Sequence, residues 1–191
     1  METLDKKIFD LVVYGATGYT GQYVVEEVGR VAAAEVTAGH EPLTWAIAGR
    51  NRDKLSKALQ VARDITGLPL TDVGIIIANS DDDDSLQKMA SQAKIIINVV
   101  GPYQKYGPQV VKACIENGTS HVDISGEPQF SKFVRLIHNR KPKLTVNHLR
   151  DATGLNYSEE EEIGHTSNKL IGSLNFVLEC YYTTKTEGGP T

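Results

Sequence analysis

Cysteine is scarce: the 191 residues include two, Cys114 and Cys180, and neither belongs to a C-x-x-C pair. A disulfide framework and a zinc site therefore have no sequence support, and both thiols are expected to be reduced. Long apolar runs are missing as well. No stretch reaches the roughly 18 consecutive apolar residues of a membrane span. The start Met-Glu-Thr-Leu-Asp-Lys-Lys has no apolar signal-peptide core. The expectation is a cytoplasmic chain with neither signal peptide nor transmembrane segment. Asn117-Gly118-Thr119 and Asn156-Tyr157-Ser158 match the glycosylation acceptor pattern and read as turns in that setting. Positive charge is also short: 20 Lys and Arg stand against 24 Asp and Glu, a formal net charge of −4. A nucleic-acid partner, which needs clustered cations, is not indicated. Two acidic blocks remain. Asp81, Asp82, Asp83 and Asp84 diverge in direction and sit just ahead of a helical pattern, so they read as an N-terminal cap and no metal site is expected. Residues 159–162, all Glu, read as a solvated face or loop.

With 40% apolar and 23% charged residues, the chain can bury one ordinary core and the start of a second domain. It is organised around residues 9–21, Phe-Asp-Leu-Val-Val-Tyr-Gly-Ala-Thr-Gly-Tyr-Thr-Gly. An apolar β-branched run flows into three glycines at spacing three and then into a helical pattern from Gln22. This predicts a strand, a tight turn and a helix N-terminus, where bare N–H groups and roughly half a positive charge face an anion. Gly15 makes the turn, Gly18 lets the backbone approach a pyrophosphate, and Gly21 lets the helix pack on the strand. The spacing G-x-x-G-x-x-G is one residue longer in its first step than the G-x-G-x-x-G dinucleotide fingerprint. The strand before it and the helix after it favour nucleotide binding over a merely glycine-rich turn.

Further units repeat the alternation of strand and helix. Residues 22–36 form a first crossover helix, and 43–48 a buried strand ending at Gly49-Arg50. The end of the second strand faces the adenosine ribose in this architecture, where a carboxylate bonds a free 2′-hydroxyl and an Arg accommodates a 2′-phosphate. Arg50 and Arg52 offer two guanidinium groups and no carboxylate, which favours NADP; a solvated side chain at the next helix start is the competing reading. Residues 53–65 read as a helix, and 73–78 as a strand buried on both faces. Ser80 or Asp81, just beyond it, is within reach of an adenine edge. Residues 94–100 are the fourth strand, with an exit loop over 101–108. Asn98 in so apolar a strand must have its amide bonded, either by a neighbouring loop or by the cofactor. Gly101-Pro102 turns where the nicotinamide half is expected. Pro108 suits the first turn of the following helix. A fifth strand spans 120–125, and Asp123 and Glu127 beyond its core fit substrate-side or cap and turn roles equally.

Gly15-Ala16-Thr17-Gly18-Tyr19-Thr20-Gly21, Ala48-Gly49-Arg50, Asn98-Val99-Val100-Gly101-Pro102-Tyr103, residues 113–118 and residues 122–130 together resemble the saccharopine dehydrogenase-like oxidoreductases. The resemblance spans about residues 8–135. It implies an NADP-binding Rossmann-type α/β domain, an oxidoreductase of unsettled substrate, and association with lipid droplets or other membranes, glycolipid biosynthesis and the mitochondrion. Gly15, Ala16, Thr17, Gly18, Tyr19, Thr20, Gly21, Arg50, Asn98, Val99, Val100, Gly101 and Pro102 match the cofactor-binding segments; no catalytic acid or base is identified. The expected fold is a doubly wound parallel sheet of order 3-2-1-4-5, with about five to six strands over 8–147. Residues 139–165 are expected to be a poorly ordered connection, and 166–191 a truncated remnant of a second domain, its first strand followed by a tail. Tyr181 and Lys185, spaced Tyr-x-x-x-Lys, fall in that strand or tail and read as coincidence. The shortened chain keeps a second function in play: a non-catalytic module that binds nucleotide, a partner or a lipid surface without a complete active site.

Overall fold

The computed structural model describes residues 7–130 and 132–134 in full, and the backbone of 146–148. The chain runs β1 (Phe9–Tyr14), α1 (Tyr19–Thr37), β2 (Trp45–Gly49), α2 (Arg52–Thr66), β3 (Gly74–Ile77), α3 (Asp83–Gln92), β4 (Ala93–Asn98), α4 (Tyr103–Glu116), β5 (Ser120–Asp123) and β6 (Val146–His148). The sheet order is β3-β2-β1-β4-β5-β6, and every pairing is parallel. The order foreseen for the first five strands is therefore the observed one. The chain leaves β1 toward one edge for β2 and β3, then returns to β1's other side for β4 and β5. Its carboxyl ends open a crevice at that reversal, where open α/β sheets bind ligands.

The apolar run in β1 explains its central place. Leu11 and Val13 point to one face, beneath Val24, Val25 and Val28 of α1 and Leu55, Leu59 and Ala62 of α2. Val12 and Tyr14 point to the other, beneath Leu86, Met89 and Ala90 of α3 and Val110, Ala113 and Cys114 of α4. A strand with helices on both faces has no wet side, so it cannot alternate apolar with polar residues. Each fully buried large side chain contributes about 1.5–3 kcal/mol. The polar exceptions are bonded. Asp10 accepts from the Thr44 N–H at 3.0 Å and the Thr44 hydroxyl at 2.7 Å, and pairs with Lys94 at 2.9 Å.

Helix ends follow local chemistry. Asn51 caps α2 by accepting from the Lys54 N–H at 2.9 Å, and Gly67 closes it at φ +70°. Asp82 caps α3 by accepting from the Ser85 N–H at 3.3 Å, with Asp83 and Asp84 in the first turn. The aspartate block is thus a cap, and no group of ligands for a metal ion occurs among the described residues.

Several boundaries differ from the sequence reading. Helix α1 begins at Tyr19, three residues earlier than the apolar spacing suggested, so Gly21 lies inside its first turn. Pro108 stands inside α4 and not at its start, because α4 begins at Tyr103. The cause is remote: the Glu127 carboxylate accepts from the N–H groups of Tyr103 and Gln104, each at 2.7 Å. That partner satisfies donors which the local sequence leaves open. The sixth strand covers Val146–His148. Expectations for the rest of 139–165 and for 166–191, including Cys180, Tyr181 and Lys185, fall outside the described residues.

Candidate functional site

A cleft of about 350 Å³ opens at the carboxyl ends of β1, β2 and β4 and beside the loop after β3. Four segments line it: Tyr14, Gly15, Thr17, Gly18, Tyr19 and Thr20; Gly49 and Arg50; Asn79, Ser80 and Asp81; and Val99, Val100 and Gly101, with Tyr106 of α4. The site therefore assembles the glycine turn with three strand ends.

The turn is shaped by its backbone. Gly15 has φ +96°, which disfavours any side chain, and a Cβ there would stand 2.7 Å from Val100 Cγ2. The Gly15 N–H donates to Ala48 O at 2.9 Å, and the Gly18 N–H to Gly15 O at 2.9 Å. The first intrahelical bond of α1 runs from the Gln22 N–H to Gly18 O. The N–H groups of Tyr19, Thr20 and Gly21 thus lie in a first turn that has no acceptor of its own. Unlike α2 and α3, α1 has no side-chain cap and no acidic residue in its first turn. At Gly18 the backbone is ordinary extended chain, and a Cβ would meet only Gly15 O, at 3.3 Å. No other atom stands within 4 Å of that position, and Gly18 itself lines the cleft.

Arg50 follows β2, lines the cleft and is exposed, with no hydrogen bond or ion pair among the described residues. Arg52, the other guanidinium considered, enters the first turn of α2 and does not line the cleft. The Tyr14 hydroxyl lies 2.8 Å from Ser80 Oγ. Burial pushes the Tyr14 phenol up, an effect opposed by the Ser80 bond and Arg50 and assisted by Asp81, so it stays protonated. The ring of Tyr106, which lines the cleft, has the Lys105 ammonium 4.7 Å from its centre.

Four matched residues lie outside the cleft lining. Ala16 is buried under the turn, Gly21 packs against it, and Pro102 is the N-cap of α4. Asn98 is fully buried: its Oδ1 accepts from the Val100 N–H at 3.0 Å, and its Nδ2 lies 3.4 Å from His121 Nε2. The Asn98 amide thus holds the turn into Gly101. Asp123 and Glu127 likewise serve the fold. Asp123 Oδ1 accepts from the Ser125 N–H at 2.8 Å, and Glu127 caps α4. Tyr103 donates to Asn98 O at 3.1 Å, and burial, with Asp123 and Glu127 nearby, holds its phenol well above the usual range. It is no acid or base near neutral pH.

Sequence reasoning missed Tyr14, Gly49, Asn79 and Tyr106 as cleft residues. Tyr14 carried a usable signal, since a tyrosine ending an otherwise apolar central strand must find its hydroxyl a partner. Tyr106 carried none, because the early start of α4 depends on Glu127.

A family model described as the saccharopine dehydrogenase NADP binding domain matches residues 11–163. The "Saccharopine dehydrogenase-like oxidoreductase" of Mus musculus is 41% identical over 186 residues, covering 95% of this chain and 42% of the mouse protein. The "Lipid droplet localized protein" of Caenorhabditis elegans is 44% identical over 135 residues, covering 71% of this chain and 30% of the worm protein. The chain thus spans less than half the length of these relatives. Among solved structures, the saccharopine dehydrogenase (L-Glu forming) of Saccharomyces cerevisiae overlays with a TM-score of 0.51 at 21% identity, covering 73% of this chain and 26% of that one. That likeness concerns the fold alone. With the family model matching most of the parallel sheet and its glycine turn, the chain belongs to the saccharopine dehydrogenase-like family and carries that family's NADP-binding Rossmann domain.

Proposed function

We propose that the cleft binds NADP(H), and that this domain presents the nicotinamide for hydride transfer within an oxidoreductase. One observation carries the reading: the uncapped first turn of α1 lines the same cleft as Arg50. Anions are favoured at such a turn, and a guanidinium matches phosphate geometry. In this reading the N–H groups of the first turn hold the pyrophosphate and Arg50 holds the 2′-phosphate. Ser80 and Asn79 border the adenine, and Val99, Val100 and Gly101 form the wall along the nicotinamide ribose. NADPH, when bound, supplies the hydride; the protein's part is orientation. The titratable side chains among the described residues lining the cleft are Tyr14, Tyr19, Arg50, Asp81 and Tyr106.

The lipid reading is also a proposal. The worm relative's name supports a peripheral place on lipid droplets, and no described helix is long and apolar enough to cross a membrane. Titration of the chain with NADPH and NADH, beside an assay of NADPH oxidation, tests the cofactor reading. Tight NADPH and weak NADH binding is expected; equal or absent binding overturns it. Binding without oxidation by this chain would favour the nucleotide-binding module without a complete active site.

A further inference from the structure

One contact in the cleft is explained neither by the glycine turn nor by Arg50. Tyr14 ends β1, the central strand, whereas Ser80 follows β3, with β2 lying between them in the sheet. Their hydroxyls nevertheless meet at 2.8 Å across 66 residues of sequence. The bond bridges the carboxyl end of β2, from which Arg50 projects. Both residues are almost buried, at 2% and 7% exposure, yet both line the cleft. Ala78 N–H, at the loop's start, continues the pairing with β2 by donating to Gly49 O at 3.1 Å, and the bonds beyond it are local: Asp82 N–H to Asn79 O at 3.0 Å, Asn79 N–H to Ser85 Oγ at 2.9 Å, and Asp81 N–H to Asn79 Oδ1 at 3.3 Å. They shape the loop and fasten it to α3. The Tyr14 hydroxyl instead ties it to the strand that carries the glycine turn.

We propose that Tyr14 is a positioning residue for the adenosine half of a 2′-phosphorylated dinucleotide: through Ser80 it sets the loop after β3 at a fixed distance from Arg50 and the glycine turn. The inference rests on the NADP reading above. The glycine turn and Arg50 hold the two phosphate groups of that half, and the base must then find its wall where Ser80 stands. A loop held only by its own bonds would have to be ordered by the ligand, at a cost in affinity. The tie removes that cost beforehand. Tyr14 need not touch the ligand to do so.

The test is a double-mutant cycle on the whole chain, with dissociation constants for NADPH and for 2′,5′-ADP measured by calorimetry. Tyr14→Phe and Ser80→Ala are each expected to weaken both ligands by the same factor, about two- to tenfold for one hydrogen bond. The double variant should lose no more than either single variant, because all three lack the same bond. A role confined to stability would lower the melting temperature and leave the affinity of the folded protein unchanged. Unchanged affinity in Tyr14→Phe, additive losses in the double variant, or a loss for NADPH without one for 2′,5′-ADP would overturn the proposal while leaving nucleotide binding intact. Failure of the wild type to bind either ligand would overturn the NADP reading, and this inference with it. Ser80→Thr provides the second line of evidence, since it keeps a hydroxyl for Tyr14 and should retain affinity that Ser80→Ala loses.

Discussion

A Cβ placed on Gly21 would stand 2.1 Å from the carbonyl oxygen of Gly15 and 2.9 Å from Ala16 Cα. The first turn of α1 is therefore pressed against the backbone of the turn that precedes it, and neither atom is a flexible side-chain end that could swing away. Gly21→Ala should force the two apart and destabilise the domain by about 1–3 kcal/mol, the usual range for overpacking. Urea unfolding measures the loss, and an unchanged midpoint would mean that the turn can relax.

Gly18→Val should separate fold from function. The Gly18 backbone, at φ −74° and ψ 166°, admits a β-branched residue, whose Cβ would meet only Gly15 O, at 3.3 Å, beside the cleft that Gly18 lines. NADPH and NADH binding should be lost together while the melting temperature changes by only a few degrees. Unimpaired binding would show that no pyrophosphate lies there.

Arg50→Ala should discriminate between the two cofactors. A charge-assisted hydrogen bond contributes about 1.5–3 kcal/mol, so NADPH should weaken by roughly ten- to 150-fold and NADH hardly at all. Added salt should erode the wild-type preference, because an exposed guanidinium is screened over about 10 Å at 0.1 M ionic strength. Equal losses for both cofactors would remove the 2′-phosphate from Arg50.

Glu127→Ala should loosen the start of α4. The variant leaves the Tyr103 and Gln104 N–H groups without their carboxylate partner, a cap worth about 0.5–2 kcal/mol. Glu127→Gln, which keeps one acceptor oxygen, should lose less. Chemical denaturation of the two variants beside wild type gives the order, and equal stability in all three would show that water replaces the cap.

Cys114 should make stability fall at alkaline pH. Burial pushes its thiol up to about 12, against 9.0 for an exposed thiol, with the nearby Lys7 ammonium opposing the shift. The folded value is the raised one. Its contribution is therefore complete below pH 9 and is lost between about 9 and 12, where the unfolded chain has given up the proton and the native state still holds it. Each pH unit within that window corresponds to about 1.4 kcal/mol at most. Cys114→Ala should show a shallower decline between pH 9 and 10.5 in urea unfolding. A parallel decline in both proteins would assign the effect to other groups.

The sequence alone determined the parallel sheet, the order of its first five strands and the glycine turn, because these rest on short-range rules. Leu11, Val12 and Val13 announce a strand buried on both faces, the block holding Asp82 is a cap three residues from its donor, and Gly15 is needed where φ is positive. Arg50 was legible for the same reason, as the residue next to a strand end. Tertiary structure decided what depends on partners far along the chain. Pro108 lies within α4 because Glu127 reaches back to Tyr103; the Asn98 amide holds the Val100 N–H; Tyr14 meets Ser80 across β2. In each case the side chain could form more than one hydrogen bond. Periodicity and propensity are insensitive to that choice, which was settled only when the strands paired and burial made partners for these groups necessary.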